Sequence, residues 1–216
     1  MKNKKKIVLF AAFAVVALFI GGAVSYNYLE NERLGFLAQE NSEVFVRDYA
    51  PRMGAKEPDV YLVEFLDPEC ESCRAFAPYV KELIKEYQDK VQLIVRYAPF
   101  HKNSKFAVKI LEAARNQGKY WEVLDVLFRY QPNWGNHHNP QPELIWYYLP
   151  EAGVDVAKIR EDMQDPAIVK RIEQDIADGQ KLGVRGTPSF YINGAPLENF
   201  GRSQLKAAIQ SAIEDS

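Results

Sequence analysis

The sequence is poor in the residues that build covalent or metal-bound scaffolds. It holds two cysteines, three histidines and three methionines in 216 residues. Two cysteines exclude a disulfide-stapled miniature fold and a four-thiolate zinc site. A strong charge of either sign is also missing: 27 Lys+Arg stand against 29 Asp+Glu, a formal net charge of −2. That balance excludes the basic bias of a nucleic-acid binder. Outside the first 25 residues there is no repeat and no low-complexity stretch. With 47% hydrophobic and 26% charged residues the chain can fill a core and is no disordered polyampholyte. Its length allows one ordinary domain with appendages.

The near-neutral average hides an asymmetry. Lys2, Lys4, Lys5 and Lys6 crowd the N-terminus and leave the remainder distinctly acidic. They precede IVLFAAFAVVALFIGGAV, an uncharged run over residues 7–24. As a helix it spans about 27 Å at 1.5 Å per residue, close to a bilayer's hydrocarbon thickness. The organisation expected is a cytoplasmic basic tail at 1–6, a transmembrane anchor or signal at 7–25, a polar spacer at 26–41 and a domain over 42–214. Lysines before the span place the domain outside the cytoplasm. Ala23-Val24-Ser25 after Gly21-Gly22 also reads as a signal cleavage site. A retained anchor is preferred, because the apolar run exceeds a usual signal core of about 7–15 residues. Either way the domain is exported to a compartment where disulfide chemistry persists.

Within the domain, Ser42–Asp48 reads as a first strand and Ala50–Asp59, with Pro51, Gly54 and Pro58, as a connection. Val60–Leu66 (VYLVEFL) is a buried central strand, apolar except at Glu64. Cys70-Glu71-Ser72-Cys73 follows, then a helix with Phe76, Val80, Leu83, Ile84 and Tyr87 on one face and Pro78 inside it. Val91–Tyr97 is the next strand. Residues 104–182 read as mostly helical, with Asp155 and Asp165 as caps, a short helix from Pro142 to about Leu149, and Gly183 after the last turn. Trp121, Trp146, Tyr147 and Tyr148 are expected in the core. Ser189–Ile192, Asn193-Gly194 and Ala195–Phe200 read as a hairpin. Ser203 should cap a last helix.

The chemistry lies in two cysteines three residues apart at a strand-to-helix junction. Cys70 then sits at a helix N-terminus, where the helix dipole and free N–H groups favour a thiolate. Cys73, one turn on, can resolve a mixed disulfide formed on Cys70. Glu64, a carboxylic acid on a buried strand, suits a proton relay for Cys73. A cis proline at Thr187-Pro188, facing the cysteines, would leave Thr187 backbone groups free for an extended substrate. The competing reading is a tethered copper or zinc protein drawing on Cys70, Cys73 and His101, His137 or His138. His101 otherwise tunes the thiols or merely caps the next helix, the latter being preferred.

Glu64, the Cys70–Cys73 pair, Pro78 and Thr187-Pro188 match the thioredoxin-fold pattern in spacing and order. With FLDPECESCRAF, RYAPFH and HHNPQP, residues 42–214 resemble the membrane-anchored bacterial DsbA-like thiol–disulfide oxidoreductases. The resemblance implies an α/β thioredoxin-like fold, a central mixed sheet flanked by helices with a helical insertion at about 101–183, behind an N-terminal transmembrane helix. It implies Cys70 as nucleophile, Cys73 as resolving thiol, Glu64 as buried acid and Pro188 as the cis proline beside Thr187. No dissociable cofactor is implied, since the Cys70–Cys73 disulfide is itself the redox centre. The implied partners are exported thiol or disulfide proteins, a membrane redox partner (a quinone-linked oxidase or a thiol reductase) and the bilayer, with no nucleic acid. The implied location is the bacterial inner membrane, single-pass, with a periplasmic catalytic domain, or the soluble periplasm if the signal is cleaved. A disulfide reductase or isomerase is the alternative within the same chemistry. One departure stands out: Glu69 and Glu71 flank Cys70 where strongly oxidising members carry Pro-His between the cysteines. Two carboxylates should disfavour the thiolate and make the pair more reducing.

Overall fold

The computed structural model describes residues 2–40 and 42–216; Met1 and Asn41, the outer ends of the expected basic tail and spacer, lie outside the described residues. In chain order the elements are α1 (Lys2–Glu40), β1 (Arg52–Gly54), β2 (Val60–Leu66), α2 (Glu71–Glu86), β3 (Val91–Tyr97), α3 (Ser104–Arg115) and α4 (Tyr120–Trp134). They continue as α5 (Ile145–Tyr148), α6 (Val156–Asp162), α7 (Pro166–Lys181), β4 (Ser189–Ile192), β5 (Ala195–Pro196) and α8 (Arg202–Glu214). The strands lie in the order β1-β3-β2-β4-β5. β2 and β3 are parallel, which requires a crossover, and α2 supplies it. β1, β4 and β5 each pair antiparallel with their neighbours. This is the mixed central sheet flanked by helices that the sequence led us to expect, and α3 to α7 fill the expected insertion.

The strand periodicity decides which side chains meet the helices. Leu62, Glu64 and Leu66 alternate with Val63 and Phe65, so the two sets point to opposite faces. The first face is covered by a core that includes Val80, Leu83 and Ile84 of α2, Leu127 of α4 and Leu205 and Ile209 of α8. The second packs against Val44, Phe45, Leu182 and Val184. Glu64 is thereby carried into the larger apolar layer, beneath the cysteines.

Local signals explain most element ends. Asp165 accepts from Ala167 N ahead of Pro166, and Asp155 accepts from Lys158 N, both as expected of N-caps. Asn193 and Gly194 have φ of 47° and 87°, the two positive values that a tight hairpin turn requires.

Five expectations fail. Ser42–Asp48 is no strand: Ser42–Val44 is a 3-10 turn, and the edge strand is β1, inside the stretch read as a connection. The carbonyls of Val44 and Phe45 are taken by the Arg96 guanidinium instead of a strand partner. Ala195–Phe200 keeps strand geometry only to Pro196, which has no N–H to extend a ladder. Ser203 is not the cap of α8; Gly201 holds that place and the Ser203 hydroxyl bonds the Gln204 side chain. From Pro142, two 3-10 turns flank a single α-helical turn instead of one helix, and Tyr147 on it is 79% exposed rather than in the core.

In α1 the segment Ala12–Glu30 is long and apolar enough to cross a membrane, with a mean hydropathy of 1.7 and none of its described residues buried. The helix runs on through the expected spacer to Glu40. Near its end Arg33 Nη1 donates to the carbonyl of Lys181 at 2.7 Å, joining it to the end of α7.

Candidate active site

The buried strand β2 ends at Leu66, and the chain turns through Asp67-Pro68-Glu69 into α2. Cys70 is the N-cap residue of that helix, with extended backbone (φ −76°, ψ 123°). The turn is closed by Cys70 N donating to the Asp67 carbonyl at 3.1 Å. Asp67 N donates to Cys73 Sγ at 3.5 Å. Both cysteines are free thiols. Cys70 retains 8% exposure whereas Cys73 has none, so only the first can meet a macromolecular disulfide.

From the far end of the chain, the Thr187 carbonyl accepts from the Cys70 thiol at 3.1 Å. The Thr187–Pro188 bond is cis. The expected juxtaposition of residues 70, 187 and 188 is therefore present. A groove of about 400 Å³ runs beside it, lined by Ser72, Gly186, Thr187, Pro188, Leu197 and Phe200. Phe200 is 53% exposed and packs on Phe76 with ring centroids 4.4 Å apart and the rings tilted by 34°. A larger cavity, of about 560 Å³, lies among the inserted helices around Phe106, Trp146 and Arg160, and no residue of the cysteine turn lines it.

The electrostatics separate the two thiols. Cys70 is lowered to about 5, first by a hydrogen bond from Cys73. Desolvation opposes this, while the Thr187 side chain and the backbone N–H groups of Cys73 and Ser72 add to it. Cys73 is pushed well above an ordinary thiol, foremost by burial, then by its bond to Cys70 and the nearby Glu64 charge. Glu64 is raised to about 8 by burial, with a contribution from Cys70. One of its oxygens, Oε1, has no hydrogen-bond partner among the described residues. Glu64 thus lies within electrostatic reach of both thiols, with one carboxyl oxygen unpartnered among the described residues.

The expectation that flanking carboxylates disfavour the Cys70 thiolate does not hold in this geometry. Glu69 turns away from the sulfur and caps α3 instead. Its oxygens accept from Asn103 N at 2.7 Å and Asn103 Nδ2 at 2.8 Å. Glu71 projects to solvent on the first turn of α2.

Sequence reasoning missed two residues that build the turn. Gln131 of α4 donates from Nε2 to the carbonyls of Pro68 at 2.8 Å and Cys70 at 3.0 Å, bracing the helix start from behind. Asp67 is wholly buried, and its side chain accepts from Glu69 N, Phe100 N, His101 N and His101 Nδ1. A buried acidic group needs such partners, and an Asp beside CxxC was the only available signal. His101 bonds Asp67 at 2.8 Å, and its ring lies 5.0 Å from that of His137. No group of three or more His, Cys, Asp or Glu among the described residues is arranged to hold a metal ion.

Comparisons with known proteins agree with this geometry. The family model described as Thioredoxin matches residues 47–214. A thioredoxin-like oxidoreductase from Silicibacter pomeroyi, solved by crystallography, superposes with a TM-score of 0.70 at 31% identity, covering 82% of this chain and 99% of that one. The probable disulfide bond formation protein D of Bacillus cereus is 28% identical over 223 residues, 99% of this chain and 100% of that protein. The Na(+)/H(+) antiporter NhaA of Herminiimonas arsenicoxydans is 30% identical over 159 residues, 74% of this chain but 25% of the antiporter. The chain thus spans about a quarter of the length of the antiporter relative it matches.

Proposed function

The chain belongs to the thioredoxin family, and on that premise we propose that it is a protein thiol–disulfide oxidoreductase working through Cys70. The observation that carries the reading is the split pair: a Cys70 that keeps only 8% exposure with its thiol lowered to about 5, over a sealed Cys73 with its thiol raised.

In the reducing direction, the Cys70 thiolate attacks one sulfur of a substrate disulfide. A Cys70–substrate disulfide forms and the other substrate sulfur leaves as a thiolate. Cys73 then loses its proton, which Glu64 can take more readily once the mixed disulfide has removed the Cys70 charge that helps raise it, and attacks Cys70 Sγ. The Cys70–Cys73 disulfide forms, the second substrate sulfur leaves, and the substrate has gained two electrons. Run backwards, the same steps oxidise a substrate dithiol. The groove along Thr187 and Pro188 suits an extended chain, whose backbone can pair with that of Thr187 once Cys70, as thiolate or mixed disulfide, no longer donates to the Thr187 carbonyl.

Residues 42–214 form the catalytic domain, and α1 serves as its signal-anchor, placing the domain outside the cytoplasm among exported substrates. A membrane redox partner returns the pair to its working state. The direction distinguishes an oxidase from a reductase or isomerase. The Cys70–Cys73 disulfide supplies the redox chemistry with no further cofactor.

The test is twofold. Insulin reduction and oxidative refolding of a reduced protein should both be lost with Cys70→Ser. Cys73→Ala should accumulate mixed disulfides between Cys70 and exported proteins in cells. Activity surviving Cys70→Ser, or no mixed disulfide from a folded Cys73→Ala, removes the proposal.

A further inference from the structure

The Asp67–His101 pair is not used by the exchange steps just described, yet it is built into the cysteine turn. Asp67 touches both halves of the pair through its backbone, N–H to Cys73 Sγ and carbonyl to Cys70 N. Its side chain gathers the loop after β3, from which His101 Nδ1 reaches it at 2.8 Å. The imidazole is about a third exposed, so it can exchange protons with solvent. Asp67, by contrast, has no exposure at all.

We propose that His101 is a positioning residue for thiol–disulfide exchange: clamped by Asp67 beside the cysteine turn, it holds a titratable positive charge that favours Cys70 as the thiolate. The proposal rests on the oxidoreductase reading above. It gives this chain, from a loop more than 30 residues away, the cationic neighbour that Glu71-Ser72 between the cysteines does not supply. Every group facing the ring bears on its charge. Asp67 and Glu69 come from the turn after β2, Cys70 from the start of α2, and His137 from the loop after α4. Lys102 follows it in its own loop. Partial burial works against protonation of His101. The hydrogen bond to Asp67 and the charges of Asp67, Cys70 and Glu69 outweigh it, and the group is raised above an ordinary histidine. His137, when protonated, opposes this.

Linkage then makes the effect reciprocal. If the imidazolium stabilises the thiolate, the thiolate must raise the proton affinity of the imidazole by the same factor. In the disulfide state Cys70 carries no charge, so that part of the shift disappears. Reducing the pair therefore draws a fraction of an additional proton onto His101.

Side-chain NMR of the full chain in detergent micelles tests this directly, with the His101 imidazole titrated in the dithiol and in the disulfide state. The expected result is a proton affinity about fivefold higher in the dithiol state. Thiolate absorbance should show the Cys70 midpoint rising in His101→Gln by a similar factor. Equilibrium with glutathione should move toward the disulfide by that factor too, and His101→Lys should restore both. An His101 midpoint independent of redox state overturns the proposal, and that measurement needs no variant that must fold. A folded His101→Gln with unchanged Cys70 titration overturns it equally. A chain that reduces insulin while His101 ignores the redox state refutes this inference alone. One with redox-linked His101 but no exchange activity refutes the functional reading instead.

Discussion

Glu64 interrupts seven otherwise apolar or aromatic residues of β2 and is 2% exposed. That interruption was plain in the sequence, as were the CxxC spacing and the Thr-Pro pair. The consequence for pH can be signed. In the folded chain Glu64 holds its proton up to about 8, against 4.5 for an ordinary side chain of its kind. Between those values the folded state binds more protons than the unfolded one, so stability falls as pH rises through the window and is lowest above it. Glu64→Gln should flatten that decline in urea unfolding measured on either side of the window, more so for the reduced than the oxidised protein, since Cys70 contributes to the shift. The same substitution should slow resolution at Cys73 by about 10²-fold, seen in stopped-flow as an accumulating mixed disulfide. Asp67 and Gln131 were not legible as parts of the site, and Glu69 was legible only as a neighbour of Cys70, not as a partner of Asn103 at the start of α3. Their partners are His101, Asn103 and the backbone of Pro68 and Cys70, brought together by folding across 34 to 63 residues of chain.

The elements that frame the site are joined by one buried ionic network. Arg96 on β3 has no exposure and bonds Asp175 and Asp178 of α7 together with the carbonyls of Val44 and Phe45. Arg47 also pairs with Asp178, and Tyr49 with Asp175. Burial pushes Asp175 up despite these partners, whereas Asp178 is held below the usual carboxylate range, the bonds from Arg47 and Arg96 outweighing desolvation. The end of β3 leads to His101 and the end of α7 leads to Thr187-Pro188, so the network fixes the approach of both loops to the cysteines. Arg96→Met should cost about 3–5 kcal/mol in urea unfolding, because it strands buried acids without their cation. Asp165→Ala, which removes only the N-cap of α7, should cost about 1 kcal/mol. The helix signals at Asp165, Pro166 and Gly183 were local and readable. The network was not: in sequence Arg96 is a charge at the end of an apolar strand, and nothing nearby announces its acids.

For the whole molecule, the exposed apolar segment of α1 contrasts with a domain that buries its own core. Removing residues 1–40 should leave a folded protein with unchanged insulin reduction that stays soluble after ultracentrifugation, while the full chain partitions with membranes. Equal partitioning of the two would contradict the anchor. The sequence by itself determined the βαβ start, the cysteine pair at a helix N-terminus, the inserted helices and the apolar leader, because periodicity, caps and turn residues act over a few neighbours. It misjudged the first strand, since Val44 and Phe45 have strand-like side chains whose carbonyls go to a distant arginine. Only the tertiary structure decided the charge state of the site. It turned Glu69 away from Cys70, set Asp67 and His101 against the cysteine turn and laid Thr187 on the sulfur. Proton affinity depends on burial and on which charges lie within a few ångströms, and neither quantity exists until the chain has folded.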